Sequence, residues 1–284
     1  MAETVYLNGR YVPYEEALIH IEDRGMLFAD GIYEVVRAYR GHLFTLEAHL
    51  ERLRASAAEL RLEVPSQQAL REIIGGVLAR SGLDDASVYI QLTRGWAGPR
   101  NHAVPRGVAP TIFAAARPVP RPDPRLVAEG ADAITVPDRR WHMCHVKSVG
   151  LLLNTLAKQS AMDAGCQEAL FLRDGVLTEG SATNAFAVVD GVVHTHAEGP
   201  HILAGITRQV VLQLCAEEGV PVREEGVLIS RLYQAEEAFV TGTNSEVLPI
   251  RRIDGRQIGT DRPGPVTVRL QQAFSRRVAA ETGA

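Results

Sequence analysis

The sequence predicts an α+β protein of two domains. Three observations carry that prediction. Short strand-like runs are joined by tight turns, apolar stripes of helical period alternate with them irregularly, and a proline-rich break falls near the middle of 284 residues. Hydrophobic residues make up 46% and charged residues 23%, as in an ordinary globular chain long enough to bury a large core. The net charge of −4 offers no basic footprint, so nucleic acid is not an expected partner. No apolar run approaches a bilayer span, and the first residues lack the basic and apolar regions of a signal peptide. Cys144, Cys166 and Cys215 are odd in number and far apart. They suggest neither a disulfide framework nor a metal pattern, and a reduced, cytoplasmic setting is the expectation.

Taken in order, Thr4–Leu7 and Arg10–Val12 read as strands around an Asn8-Gly9 hairpin turn. Gly31–Arg40 reads as a strand. Leu46–Leu62 reads as a helix whose stripe is Leu46, Leu50, Leu53, Ala57 and Leu60. A second helix is expected over Gln67–Arg80, stopping near Gly82. Ser87–Thr93 and Thr111–Ala116 are strands around a Gly/Pro-rich loop, Gly95–Pro105. Four prolines, Pro118, Pro120, Pro122 and Pro124, then suit a stiff linker. The expected division is a small α+β domain over 1–119, a linker at 120–124 and a larger domain over 125–284. In the second half, Leu151–Ala164, Ile206–Glu218 and Val266–Ala280 read as helices. Ala169–Arg173, Val176–Thr178, Asn184–Val189, Val192–Thr195 and Ala238–Thr241 read as strands.

Of the 30 basic residues only Lys147 and Lys158 are lysines. Any chemistry that needs a lysine amine therefore has two candidates, because arginine stays protonated. On the predicted helix Lys158 lies nearly opposite Leu152, Leu153 and Leu156, which predicts a solvated amine. Lys147 sits among Trp141, Met143, Cys144 and Val146, where partial burial would favour the nucleophilic free base. Gly205-Ile206-Thr207 opens a helix and suits an anion, or is simply capped by Thr207. Thr241-Gly242-Thr243-Asn244-Ser245 follows a strand and either presents N–H groups to an oxyanion or is a plain turn. Arg52 and Arg54 both flank the stripe of the first helix, and periodicity does not choose between them. Glu179 ends a strand, as a solvated turn residue or as a carboxylate partner for a ring nitrogen.

Six segments in order then resemble one family. They are Asp23-Arg24-Gly25 with Phe28–Glu34, His49–Leu53, His145–Ser148, Thr178–Ser181, Gly205–Arg208 and Thr241–Glu246. Together they resemble the fold-type IV pyridoxal-phosphate aminotransferases, and most of all the D-amino acid (D-alanine) aminotransferases. The resemblance implies a small N-terminal α/β domain and a larger, β-barrel-like domain that binds pyridoxal 5'-phosphate. It implies that Lys147 carries the cofactor as a Schiff base and that Glu179 pairs with the ring nitrogen. It further implies that Arg52, Ile206, Thr207 and Thr243 hold the phosphate. Related enzymes often carry a hydroxyl residue at the position of Gly242, so contact there would come from backbone.

In the loop Thr93–His102 the resemblance implies that Arg100 and His102, with Tyr33, trap the substrate carboxylate, a task suited to a guanidinium fork. That loop would reach the neighbouring subunit's site, so a homodimer with shared sites is implied. The implied reaction moves the amino group of a D-amino acid to a 2-oxo acid, 2-oxoglutarate or pyruvate, by a ping-pong route. The alternatives on the same fold are a branched-chain L-aminotransferase, an (R)-amine transaminase and aminodeoxychorismate lyase. No metal is implied.

Overall fold

The computed structural model describes residues 3–119, 123–260 and 262–283. The chain divides into two compact units. One comprises Met1–Val119, Val146–Gly150 and Glu281–Ala284, and the other Pro120–His145 and Leu151–Ala280. The contact-based division differs from the sequence-based one in grouping Val146–Gly150 and Glu281–Gly283 with the first unit. Of the expected linker 120–124, residues 120–122 lie outside the described residues. Asp123 accepts from Arg125 N and caps a short helix opened by Pro124.

The first unit contains β1 (Thr4–Leu7), β2 (Arg10–Pro13), α1 (Arg24–Phe28), β3 (Gly31–Tyr39), β4 (His42–Leu43), α2 (Leu46–Glu59), α3 (Gln67–Ser81), β5 (Ala86–Thr93) and β6 (Thr111–Pro118). Among the described residues its six strands form one antiparallel sheet in the order β2-β1-β6-β5-β3-β4. The first turn holds Asn8 at φ 47° and Gly9 at φ 91°, the left-handed pair that a two-residue hairpin needs.

Alternation along the strands sorts the sheet into two faces. Ile32, Val36, Val88, Ile90 and Leu92 are wholly buried, on the face covered by α2 and α3 with Leu50, Leu53, Leu70, Ile74 and Val77. Tyr33, Val35 and Arg37 point the other way, beside Tyr89, Gln91 and Phe113. Helix α2 stops at Glu59 rather than Leu62. Arg61 there turns left-handed at φ 51°, and Arg94 donates to the carbonyls of Leu60 (2.7 Å) and Arg61 (2.9 Å).

The second unit contains α4 (Pro124–Glu129), β7 (Ala131–Pro137), α5 (Leu152–Asp163), β8 (Glu168–Arg173), β9 (Val176–Gly180), β10 (Asn184–Val189), β11 (Val192–Thr195), α6 (Ile206–Glu217), β12 (Val222–Glu224), α7 (Ile229–Leu232), β13 (Glu237–Gly242), β14 (Glu246–Ile253), β15 (Arg256–Gln257) and α8 (Pro265–Thr282). Strands β10, β13, β14, β7, β8 and β9 pair in sequence, and β9 returns to β10 through Glu179 and Asn184. That return closes these six strands into a barrel. Ala133, Leu170, Leu177, Ala185, Ala187, Val240 and Ile250 belong to its buried apolar cluster.

Two barrel strands escaped the sequence reading. β14 carries Pro249, which argues against a central strand. The structure tolerates it because β7 pairs with β14 only from Ile250 onward, after a register shift. β7 alternates small and polar residues and looks half-exposed, yet it pairs in parallel with both neighbours.

Helix α5 also corrects an expectation. Leu152, Leu153 and Leu156 are exposed, while Ala157 and Ala161 pack against Ala169 and Phe171. Small side chains let the helix lie close to the strands, so the inner face is the alanine face. Lys158 accordingly lies half-buried and donates from Nζ to the carbonyl of Gln167, rather than standing in solvent. Among the described residues no helix is long and apolar enough to cross a membrane.

Candidate active site

In the first unit, Val146–Gly150 runs beside the start of β3, joined to it by an isolated antiparallel bridge. Tyr33 N donates to Lys147 O at 3.0 Å, Val149 N to Gly31 O at 3.0 Å, and Ile32 bridges Ser148. Lys147 N also donates to Ser56 Oγ on α2 at 3.1 Å. The lysine backbone is thus fixed from two sides, and its half-buried side chain lays Nζ 4.4 Å from the Tyr33 ring centroid. Tyr33 and Lys147 therefore lie side by side.

Beneath them lies a buried ionic group. Glu34 accepts from Arg52 Nε and Nη2, both at 2.8 Å, and contacts His49 Nδ1 at 2.8 Å. Burial alone would raise the Glu34 carboxyl, but the Arg52 charge and its hydrogen bonds, then His49, hold it well below the usual carboxylate range. An ionised carboxylate only accepts, so His49 Nδ1 carries the hydrogen. Burial lowers the His49 imidazole and keeps it neutral, with Lys147 among the charges acting in the same direction. Arg52 is one of the expected phosphate residues, whereas Arg54 is exposed. The role of Glu34 and His49 was missed. Its one sequence signal is the i, i+3 spacing of His49 and Arg52, which puts both on one helix face.

Arg100 and His102 are exposed and meet at a third residue. The Arg100 guanidinium lies 4.9 Å from the Phe28 ring centroid, and the His102 ring 5.3 Å from it. Arg24 fastens their loop by donating to Asn101 O at 2.6 Å and to Asp30 at 2.8 Å. The chain therefore groups Arg100 with His102 on Phe28.

In the second unit, Glu179 is buried near the end of β9. Its Oε1 accepts from Arg140 Nη1 at 2.5 Å, and its Oε2 from Leu203 N at 3.0 Å and Asn184 Nδ2 at 3.1 Å. Asp138 holds Arg140 in turn, at 2.9 and 3.0 Å. The turn after Glu179 is pinned by buried Glu168, which accepts from Ser181 Oγ, Ser181 N (3.1 Å) and Thr183 Oγ1 (2.8 Å). Burial pushes the Glu179 carboxyl up to about 7, against the pull of Arg140 and of the Leu203 N–H. Arg140, despite its own burial, is raised by Asp138 and Glu179 and stays charged. Three of roughly four acceptor positions on Glu179 are filled, so one donor more can bind and would favour the ionised form. Arg140 and Asp138 carried no sequence signal; only the fold brings Asp138-Arg139-Arg140 to the end of β9.

Helix α6 opens at Gly205 with no side-chain cap, so Thr207 does not cap it. Ile206 and Thr207 are buried at this start, where unmatched N–H groups and the helix dipole suit an anion. Gly205 is required for space: a Cβ there would lie 1.9 Å from Asn184 Oδ1. Gly242 ends β13 and Thr243 begins the turn to β14. A Cβ at Gly242 would meet Thr183 Cγ2 at 3.4 Å, an ordinary contact, so packing by the described residues does not force the glycine. Just before it, Thr241 Oγ1 is buried with no hydrogen-bond partner.

Residues 31–253 match the amino-transferase class IV family along most of the chain. The chain belongs to the class IV aminotransferases. This class IV aminotransferase is 42% identical over 282 residues to the D-alanine aminotransferase of Listeria monocytogenes serotype 1/2a (strain 10403S), covering 98% of this chain and 97% of that protein. Among solved structures it is similar to the Escherichia coli branched-chain amino acid aminotransferase, with a TM-score of 0.91 and 31% identity over 99% of this chain and 96% of the other. It is also similar to the Thermoproteus uzoniensis branched-chain aminotransferase with norvaline. There the TM-score is 0.85 and the identity 30%, covering 99% of this chain and 96% of that one.

Proposed function

We propose that this class IV aminotransferase uses pyridoxal 5'-phosphate to move the amino group of a D-amino acid such as D-alanine to a 2-oxo acid, 2-oxoglutarate or pyruvate. The observation that carries the reading is the near full-length 42% identity to a D-alanine aminotransferase. The residues present fit the cofactor. Glu179 has an acceptor position left for a ring N–H, α6 opens on an uncapped N-terminus suited to a phosphate, and Thr241 Oγ1 awaits a partner.

When bound, the cofactor supplies a carbonyl that takes the amino group and a ring that withdraws electron density from the substrate Cα. The chain supplies the rest. Lys147 Nζ would hold the cofactor covalently, and its free amine would act as the general base that takes the proton from the substrate Cα. Glu179, backed by Arg140, keeps the ring nitrogen protonated. Arg52, Ile206, Thr207, the Gly242 backbone and Thr243 hold the phosphate, with Glu34 fixing the Arg52 guanidinium. Tyr33, Arg100 and His102 hold the substrate carboxylate. The last two act in the neighbouring subunit's site of a homodimer, in keeping with their exposure on this chain. Stereochemistry follows from the side of Cα on which the carboxylate is held, so it rests with Arg100 and His102 rather than Lys147.

Arg100→Ala is expected to raise KM for D-alanine by about 100-fold, the loss of a bidentate charged hydrogen bond of about 2–3 kcal/mol. Steady-state kinetics checks this, and an unaltered KM removes the carboxylate assignment. A branched-chain aminotransferase is the second reading, favoured by the fold similarity to the Escherichia coli enzyme. A D-alanine against L-leucine donor assay separates the two.

A further inference from the structure

The face of the first unit's sheet that carries Tyr33 also carries a cation the reaction above does not use. Arg37 is four residues along β3 from Tyr33, so both side chains leave the sheet on the same side, about 13 Å apart at the backbone. It is only 3% exposed. Its Nε and Nη1 are buried without a hydrogen bond, and no carboxylate pairs with it among the described residues. Its guanidinium carbon lies 5.1 Å from the centroid of the Tyr39 ring. The other buried arginines of this unit, Arg24 and Arg94, share Asp30 at 2.8 Å.

A buried guanidinium without a counter-ion is costly, and an anion brought by a ligand would offset that cost. Between Arg37 and Tyr33 stands Val35, and across the strands lie Tyr89 and Phe113, whose rings are 6.2 Å apart. Tyr89 stacks on Tyr33 at 5.5 Å. These side chains are half-buried. The face thus runs from the Lys147 amine at Tyr33, over apolar and aromatic groups, to one unpaired cation. A substrate with a short methylene chain ending in an anion matches that order of groups.

We propose that Arg37 is a specificity-determining residue that binds the distal carboxylate of a dicarboxylic substrate, the glutamate and 2-oxoglutarate class, while monocarboxylic substrates leave it unpaired. This rests on the proposed transaminase function. It adds the side-chain preference and the residue that sets it.

The test compares the holoenzyme with Arg37→Gln and Arg37→Lys. The ratio of kcat/KM for D-glutamate to that for D-alanine is expected to fall about 100-fold in Arg37→Gln, through KM, and less in Arg37→Lys, which keeps the charge. Glutarate binding, read by calorimetry without turnover, is expected to weaken about 100-fold in Arg37→Gln. A ratio and a glutarate affinity within 3-fold of the parent (about 0.7 kcal/mol) overturn the proposal. So does a more than 10-fold weaker hold on pyridoxal phosphate at an unchanged ratio, which would assign Arg37 to the phosphate. If the parent enzyme turns over no D-amino acid, the functional reading fails, and the glutarate measurement still decides Arg37.

Discussion

Replacing Lys147 with alanine is expected to abolish transamination, lowering turnover by at least about 10⁴-fold. Lys147 Nζ lies on the Tyr33 ring at 4.4 Å, and its backbone is fixed by Tyr33 N and Ser56 Oγ. Those two bonds use main-chain atoms, so the alanine variant retains them and should fold, with a thermal midpoint within about 2 °C of the parent. No other lysine can take over. Lys158 is engaged with the Gln167 carbonyl in the second unit. Lys147→Arg should fail equally, since a guanidinium does not deprotonate. Activity and the visible absorbance of lysine-bound pyridoxal phosphate are the two readouts. Survival of either in a folded alanine variant contradicts the assignment.

The second large effect is expected at Glu179. Glu179→Gln should lower kcat about 1,000-fold at saturating cofactor, close to 4 kcal/mol of transition-state stabilisation. An amide cannot hold a ring nitrogen in its protonated form. The substitution also brings an amide NH₂ among donors, because Arg140, Asn184 and Leu203 all donate to the present carboxylate. One of those contacts would become donor against donor, at about 1–3 kcal/mol of stability. Measuring kcat at saturating pyridoxal phosphate separates the two consequences, since lost affinity is overcome by concentration and lost electron withdrawal is not. A kcat within 10-fold of the parent would remove Glu179 from its role.

Much of this was legible from residue order. The Asn8-Gly9 hairpin, α2, α3 and most strand cores follow from turn chemistry and periodicity, and the ordered motifs singled out Lys147 and Glu179. The illegible part has common physical causes. Periodicity tells an apolar face from a polar one, but α5 buries alanines and exposes leucines because close packing against β8 rewards small side chains. Pro249 in β14 reads as a strand breaker, and only the late start of β7 pairing makes it harmless. The return of Val146–Gly150 to the first unit depends on backbone bonds to β3, which leave no mark on composition. The groups behind the candidate site were hidden for a similar reason. Arg140 and Glu179, like Glu34 and His49, are joined across 39 and 15 residues of sequence, and such pairing exists only once the fold is formed.

A lysine-bound cofactor acting on D-amino acids has its own optical signature. The most direct measurement is the visible spectrum of the purified protein, titrated first with L-alanine and then with D-alanine. A visible band is expected to survive L-alanine, to be lost on adding D-alanine, and to return with 2-oxoglutarate or pyruvate. A band lost to L-alanine alone, or one that neither enantiomer changes, would contradict this expectation.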